Sequence, residues 1–175
     1  KIKKKIKSQV NIKSSLFISL GSKIIFKKND INNFFKNNLI NFHASLLPFD
    51  MGGGGFSWRI LKNDRIDNQC VHLINEKIDK GYILDYHTSV FPREIYKPKD
   101  MINFSNNNFI FFYENFLKKI KSNKKIHVMK NIDYLGTYYP RINHIKDSYI
   151  NWSNSSQELI NFTDAFEEPY IGATT

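Results

Sequence analysis

Apolar and polar positions fall into short blocks along the chain, and the blocks predict alternating strands and helices. Lys1–Ser15 is polar and basic, with Ile2, Ile6, Val10 and Ile12 spaced loosely like one face of a helix. Leu16–Leu20 (LFISL) is an apolar run closed by Gly21-Ser22, the pattern of a buried, parallel strand. Asn29 or Asp30 can cap a short helix carrying Ile31, Phe34 and Phe35. Leu39-Ile40-Asn41-Phe42 then gives the next strand, ending at His43. Strand, helix and strand within this length form a βαβ unit, so the expected class is α/β.

Further along, Pro48 and Gly52–Gly55 interrupt regular structure and make a loop. Phe56–Leu61 resumes with helix-like apolar content, and Gln69–Ile74 reads as a strand. Asn75–Gly81 is a polar loop, followed by a longer strand over Tyr82–Phe91 that Pro92 and Pro98 end. Phe109, Phe112, Phe116 and Ile120 recur at helical spacing, and the stripe reads as core. Lys118, Lys119 and Lys121 complement the C-terminal end of that helix. Ser155-Ser156-Gln157-Glu158 fits a capping box for a helix through Phe166, which Pro169 stops. The chain shows no internal repeat.

Composition narrows the class. A length of 175 residues suits one core-bearing domain, and 41% hydrophobic with 15% aromatic content excludes a disordered tail. Mean hydropathy is −0.44, and no window approaches the 18 apolar residues of a spanning helix, so no membrane partner is expected. Lys1–Lys7 is basic, but no clean apolar run and small-residue cleavage site follow it, so no signal peptide is read. Cys70 alone supports neither an internal disulfide nor a multi-Cys metal site, and no Cys/His spacing supports zinc. A reducing cytoplasm is the expected setting. The net charge of +10 is spread over scattered lysines in a chain crowded with Lys, Asn and Ile. Biased composition explains it better than a dedicated nucleic-acid face.

Candidate chemistry begins at Asn41 and His43. Two apart at the C-terminal end of a strand, they point to the same side of the sheet, where open α/β sheets place ligands. An amide donor beside an imidazole suits a carbonyl that becomes an oxyanion. The neighbouring glycines let backbone approach a ligand closely. Asp79 lies in a turn between two expected strands and can return to the same pocket, where a carboxylate would raise and orient the imidazole. His72 alternates with Cys70 and Ile74 on one strand face, as packing or as a ligand-facing wall. Trp58 reads as a stacking ring or a buried anchor, and Tyr138, Tyr139 and Arg141 form an aromatic-basic patch.

The run NFHASLLP, the glycine-rich loop, Trp58 with Ile60-Leu61, Asn63-Asp64 and the segment IDKGYIL resemble the folate-dependent formyltransferase family. A second similarity covers Ile150–Ser153 through Phe166 and Pro169–Ala173. The resemblance implies a partial Rossmann-like catalytic domain with a mostly parallel sheet over residues 1–148. Residues 149–175 would be the linker and start of a C-terminal domain. It further implies that Asn41 orients the formyl oxygen of 10-formyltetrahydrofolate, His43 stabilises the oxyanion and moves protons, and Asp79 tunes His43. By the same resemblance the donor site falls near Gly21, Ser22, Lys23, Ile24, Asn75, Glu76, Lys77 and Ile78. Ser45, Gly53, Gly54 and Trp58 fall on the acceptor side.

Compared with the family, the chain starts at what reads as the fourth strand and stops just past the domain junction, so a fragment is expected. Thr163-Asp164-Ala165, and Gly52–Gly55 followed by Phe56-Ser57-Trp58-Arg59, depart from the transfer-RNA branch. These departures favour a small amine acceptor such as an amino-sugar nucleotide. Transfer to methionyl-tRNA, an inactive remnant of the fold, hydrolysis of the formyl donor and a homodimer all stay open.

Overall fold

The computed structural model describes residues 2–22, 24–53, 55–132 and 136–175; Lys23 and Gly54, both expected near ligands, lie outside them. Helix α1 (Ile2–Gln9) leads through a single 3-10 turn into β1 (Phe17–Leu20). A five-residue π turn (Asp30–Phe34) connects it to β2 (Leu39–His43). Asn29 does not cap this turn as expected: it is itself helical, and its Oδ1 accepts from Asn33 Nδ2 at 2.6 Å. Then follow β3 (Asp50–Gly52), α2 (Phe56–Leu61), β4 (Ile66–Leu73) and β5 (Ile83–Val90). The rest is α3 (Pro98–Lys121), β6 (Thr137–Tyr139) and α4 (Ser156–Ala165).

The main sheet has the order β1-β2-β4-β5. The β1–β2 ladder is parallel, as the βαβ reading requires, with Ser19 opposite Asn41. The β2–β4 and β4–β5 ladders are antiparallel, so parallel pairing in this sheet stops at β2. The short loop between β4 and β5 has room only for a hairpin return, which fixes that direction. The expected burial of β1 also changes. With one neighbour it is an edge strand, and Leu20 is 53% exposed.

Alternation along β2 separates two environments. Ile40 and Phe42 join Val71, Phe112 and Phe116 in a core cluster between sheet and α3. Helix α3 runs longer than the aromatic stripe suggests. Pro98 sits in its first turn with Asp100, where a missing N–H costs nothing, and Lys118, Lys119 and Lys121 lie in the last turn. A second cluster of Ile60, Phe91, Met101, Ala165 and Phe166 packs α4 onto α2 and α3. The capping box is present: the Ser155 side chain accepts from Glu158 N while Glu158 accepts from Ser155 N.

Candidate active site

The C-terminal end of β2 presents Asn41 and His43 on the face opposite the core. The antiparallel register places His72 directly across from Asn41 and Cys70 across from His43. Asp79 arrives from the loop between β4 and β5. Its backbone is in the left-handed region, with φ of +54°. Asn131 Nδ2 holds this turn by donating to the carbonyls of Asp79, at 2.8 Å, and Gly81, at 3.3 Å. Gly81 is required sterically, because a Cβ there would lie 1.6 Å from the Leu73 carbonyl oxygen.

The four side chains form one polar cluster. Asp79 Oδ2 is 3.8 Å from His43 Nε2, and Oδ1 is 3.8 Å from His72 Nε2. Oδ2 also accepts a hydrogen bond from Gly52 N at 2.9 Å. The imidazoles meet edge to face at 6.3 Å. His72 Nδ1 lies 2.9 Å from the Leu73 carbonyl, which only accepts, so Nδ1 carries the proton. His72 Nε2 is then the acceptor for Asn41 Nδ2 at 3.2 Å, which leaves the Asn41 oxygen directed elsewhere. Burial holds His72 neutral, with its pKa pushed down to about 4. Burial also lowers His43, opposed by the charge of Asp79 and the Asp50 backbone. His43 Nε2 is buried without a hydrogen-bond partner among the described residues. An unsatisfied polar atom at the end of a strand is a place for a ligand atom.

Two cavities meet at this cluster, sharing Gly21, Phe42, His43, Gly52, Gly53 and Arg141. The first, about 660 Å³, contains Asn41, His72 and Asp79 and is walled by Ile24, Ile25, Phe26, Ile74 and Ile78. Of the expected donor-site residues, Gly21, Ser22, Ile24, Asn75, Lys77 and Ile78 line it. Glu76 does not: its carboxylate turns to Lys28 at 4.0 Å. The second cavity, about 730 Å³, is lined by Ser45, Gly53 and Trp58, with Gln69, Ser105 and Tyr170. Ser45 is nonetheless committed internally, donating to the Asp50 carbonyl. Trp58 Nε1 donates to the Pro140 carbonyl at 2.8 Å, so its indole anchors a neighbouring segment as well as forming cavity wall.

Burial pushes the Cys70 thiol up to about 12, so it is not a nucleophile. His72 and Asn131 were not singled out for this cluster by sequence. The signal for His72 was its strand face, which acquires meaning only through the β2–β4 register; Asn131 carried no local signal.

No family model matches the chain. The bifunctional polymyxin resistance protein ArnA of Wigglesworthia glossinidia brevipalpis is 26% identical over 144 residues, 82% of this chain and 22% of that protein. The methionyl-tRNA formyltransferase of Thermodesulfovibrio yellowstonii is 29% identical over 171 residues, 90% of this chain and 49% of that protein. The chain thus spans at most about half the length of these curated relatives. Among solved structures, the sugar 3N-formyltransferase WlaRD superposes with a TM-score of 0.69 at 28% identity, covering 86% of this chain and 53% of that one. Asn41, His43 and Asp79 come together at one site, inside a fold shared with these proteins, and over most of its length the chain is similar to folate-dependent formyltransferases.

Proposed function

We propose that the chain carries the reaction centre of an N-formyltransferase, which moves a formyl group from 10-formyltetrahydrofolate to the primary amine of an amino sugar held as a nucleotide. The observation that carries this reading is the placement of His43, whose Nε2 accepts and donates no hydrogen bond among the described residues, where two cavities meet. A two-substrate transfer needs such a seam, with the reacting groups brought together from either side.

The first cavity fits the donor. Ile24 and Ile25 are 70% and 65% exposed yet face this space, and a flat heterocycle would cover them. When bound, the donor supplies an electrophilic formyl carbon. Asn41 is held by His72 with its amide beside the seam, where it can polarise the formyl oxygen. As the amine bonds to the formyl carbon, neutral His43 takes the amine's proton at Nε2. Its charged form beside Asp79 stabilises negative charge developing on that oxygen, and the proton passes to the folate nitrogen as its bond to the formyl carbon breaks. Asp79 is fixed by Gly52 N and the Asn131 clamp, so little reorganisation accompanies the charge change. The amine enters from the second cavity, which supports acceptor binding there.

The relatives favour this acceptor class. WlaRD was solved in the presence of dTDP and 5-N-formyl-THF, and an N-formyltransferase from Helicobacter canadensis with folinic acid and dTDP-3-aminofucose. A methionyl-tRNA acceptor is the second reading, favoured by the net charge of +10 and by the 29% identical relative. The test is a formylation assay with 10-formyltetrahydrofolate, offering dTDP-amino sugars and methionyl-tRNA in parallel. Formylated sugar, absent with Asn41→Ala, is the expected result. Formylation of the tRNA alone would replace the acceptor, and no transfer to any amine would overturn the reading.

A further inference from the structure

The second cavity carries a charge that the transfer chemistry leaves unused. Among its described lining residues are two arginines, Arg59 and Arg141, and no Asp or Glu. Arg59 is buried and internally committed: NH2 donates to the Ala44 carbonyl at 3.1 Å, and NH1 faces Asp64 at 3.3 Å and the Ile66 carbonyl. Arg141 is exposed, lines both cavities and makes no hydrogen bond or ion pair among the described residues.

Its backbone, by contrast, is tightly placed. Pairing of β3 with β6 sets Gly52 opposite Tyr139, and Gly53 N donates to the Tyr139 carbonyl at 2.7 Å. Trp58 anchors Pro140. A Cβ on Gly53 would come within 2.7 Å of Arg141 Cα and N, so glycine is what lets the two segments touch. The fold fixes the Arg141 backbone at the seam beside His43 and leaves the guanidinium without a counter-charge among the described residues.

We propose that Arg141 is an oxyanion-binding residue, holding the phosphate of a nucleoside-diphosphate acceptor so that its amine reaches His43. The proposal rests on the formyl-transfer reading. A planar guanidinium matches phosphate oxygens in pairs, which positions as well as attracts. A terminal carboxylate on the formyl donor offers the same chemistry. The charges favour the acceptor: the donor cavity already holds Lys77 and carries the carboxylate of Asp79, while no described carboxylate lines the acceptor cavity and its other arginine, Arg59, is already paired with Asp64.

The test is calorimetric titration of the full chain with thymidine diphosphate, inorganic pyrophosphate and 5-formyltetrahydrofolate, using wild type, Arg141→Gln and Arg141→Lys. Matching melting midpoints establish that the variants fold. Arg141→Gln is expected to weaken both diphosphates by roughly tenfold or more and leave the folate affinity unchanged. Arg141→Lys falls between, because it keeps the charge without the fork. Diphosphate affinity that ignores Arg141→Gln, or a wild-type chain that binds no diphosphate, overturns the proposal. Loss of folate affinity with diphosphate binding intact also overturns it, and moves Arg141 to the donor carboxylate. The formylation assay separates the two readings. Arg141-dependent diphosphate binding without formyl transfer sinks only the reaction, and sugar formylation with an acceptor KM indifferent to Arg141→Gln sinks only the subsite.

Discussion

Strand β2 puts Ile40 and Phe42 on one face and Asn41 and His43 on the other, and the two faces are held on different terms. On the core face, Phe42 meets Phe109, Phe112, Tyr113 and Phe116 at ring separations of 5.2 to 5.8 Å. Burial there is apolar, with Phe42, Phe112 and Phe116 buried and Phe109 and Tyr113 partly so, and it supplies stability. On the other face, two imidazoles, an amide and a carboxylate stand together, and His43 Nε2 has no hydrogen-bond partner among the described residues. Such a face costs stability and is retained for what it does. Because the faces alternate residue by residue, a one-residue slip in register would exchange them. The core face therefore fixes the geometry of the polar one.

The comparison is broken most directly by cutting each face in turn. Phe42→Ala should lower unfolding stability by about 3–5 kcal/mol, read from denaturant midpoints, and remove activity with the fold. His43→Ala should leave the midpoint nearly in place and lower kcat by roughly two to three orders of magnitude. If the two variants lose stability equally, the division between faces is wrong. His72→Phe probes the connection within the polar face, since it keeps bulk and deletes the acceptor that orients Asn41. A loss of about tenfold in kcat with an unchanged donor KM is expected, and restoration by His72→Gln would show that the hydrogen bond, not packing, is responsible.

Acid sharpens the contrast further. His72 has a folded pKa near 4 against 6.5 in the unfolded chain, so the unfolded state takes up the proton first. Its contribution is absent above about pH 6.5, and stability falls as pH drops from there toward 4. His43, lowered by burial, acts in the same direction. Melting midpoints followed across this window should decline in the wild type and decline less in His72→Phe. The smallest effect is expected at the periphery, where Lys99 and Glu168 pair at 2.7 Å with both side chains more than half exposed. Lys99→Ala should leave both midpoint and rate unchanged.

Much of the polar face was legible because it follows from local rules. Period-two alternation over LINFH places Asn41 with His43 whatever surrounds them, and the segment ending in Gly81 marks a turn that returns a carboxylate. The aromatic stripe of α3 and the capping box of α4 were equally local, and both are present. What was hidden depends on contacts between distant segments. The role of His72 needs the β2–β4 register, and Asn131 reaches Asp79 across 52 positions. Strands β3 and β6 are three residues each, too short to leave a pattern, yet their pairing sets the Arg141 segment against the glycine loop. The antiparallel run of β4 and β5 was likewise beyond reach. A run of apolar residues reports that it will be buried, not how many neighbours it will have.

By itself, then, the sequence determined which side chains face together along each element, because backbone geometry fixes the period of a strand or helix independently of its partners. It set Asn41 beside His43, Phe42 against the core and Asp79 in a turn. Only the tertiary structure decided that these meet where two cavities join, that His72 accepts from Asn41, and that Arg141 stands at the seam without a counter-charge among the described residues. Those outcomes rest on long-range register and close backbone approach, whose energies depend on pairs of segments and so are not written in either one alone.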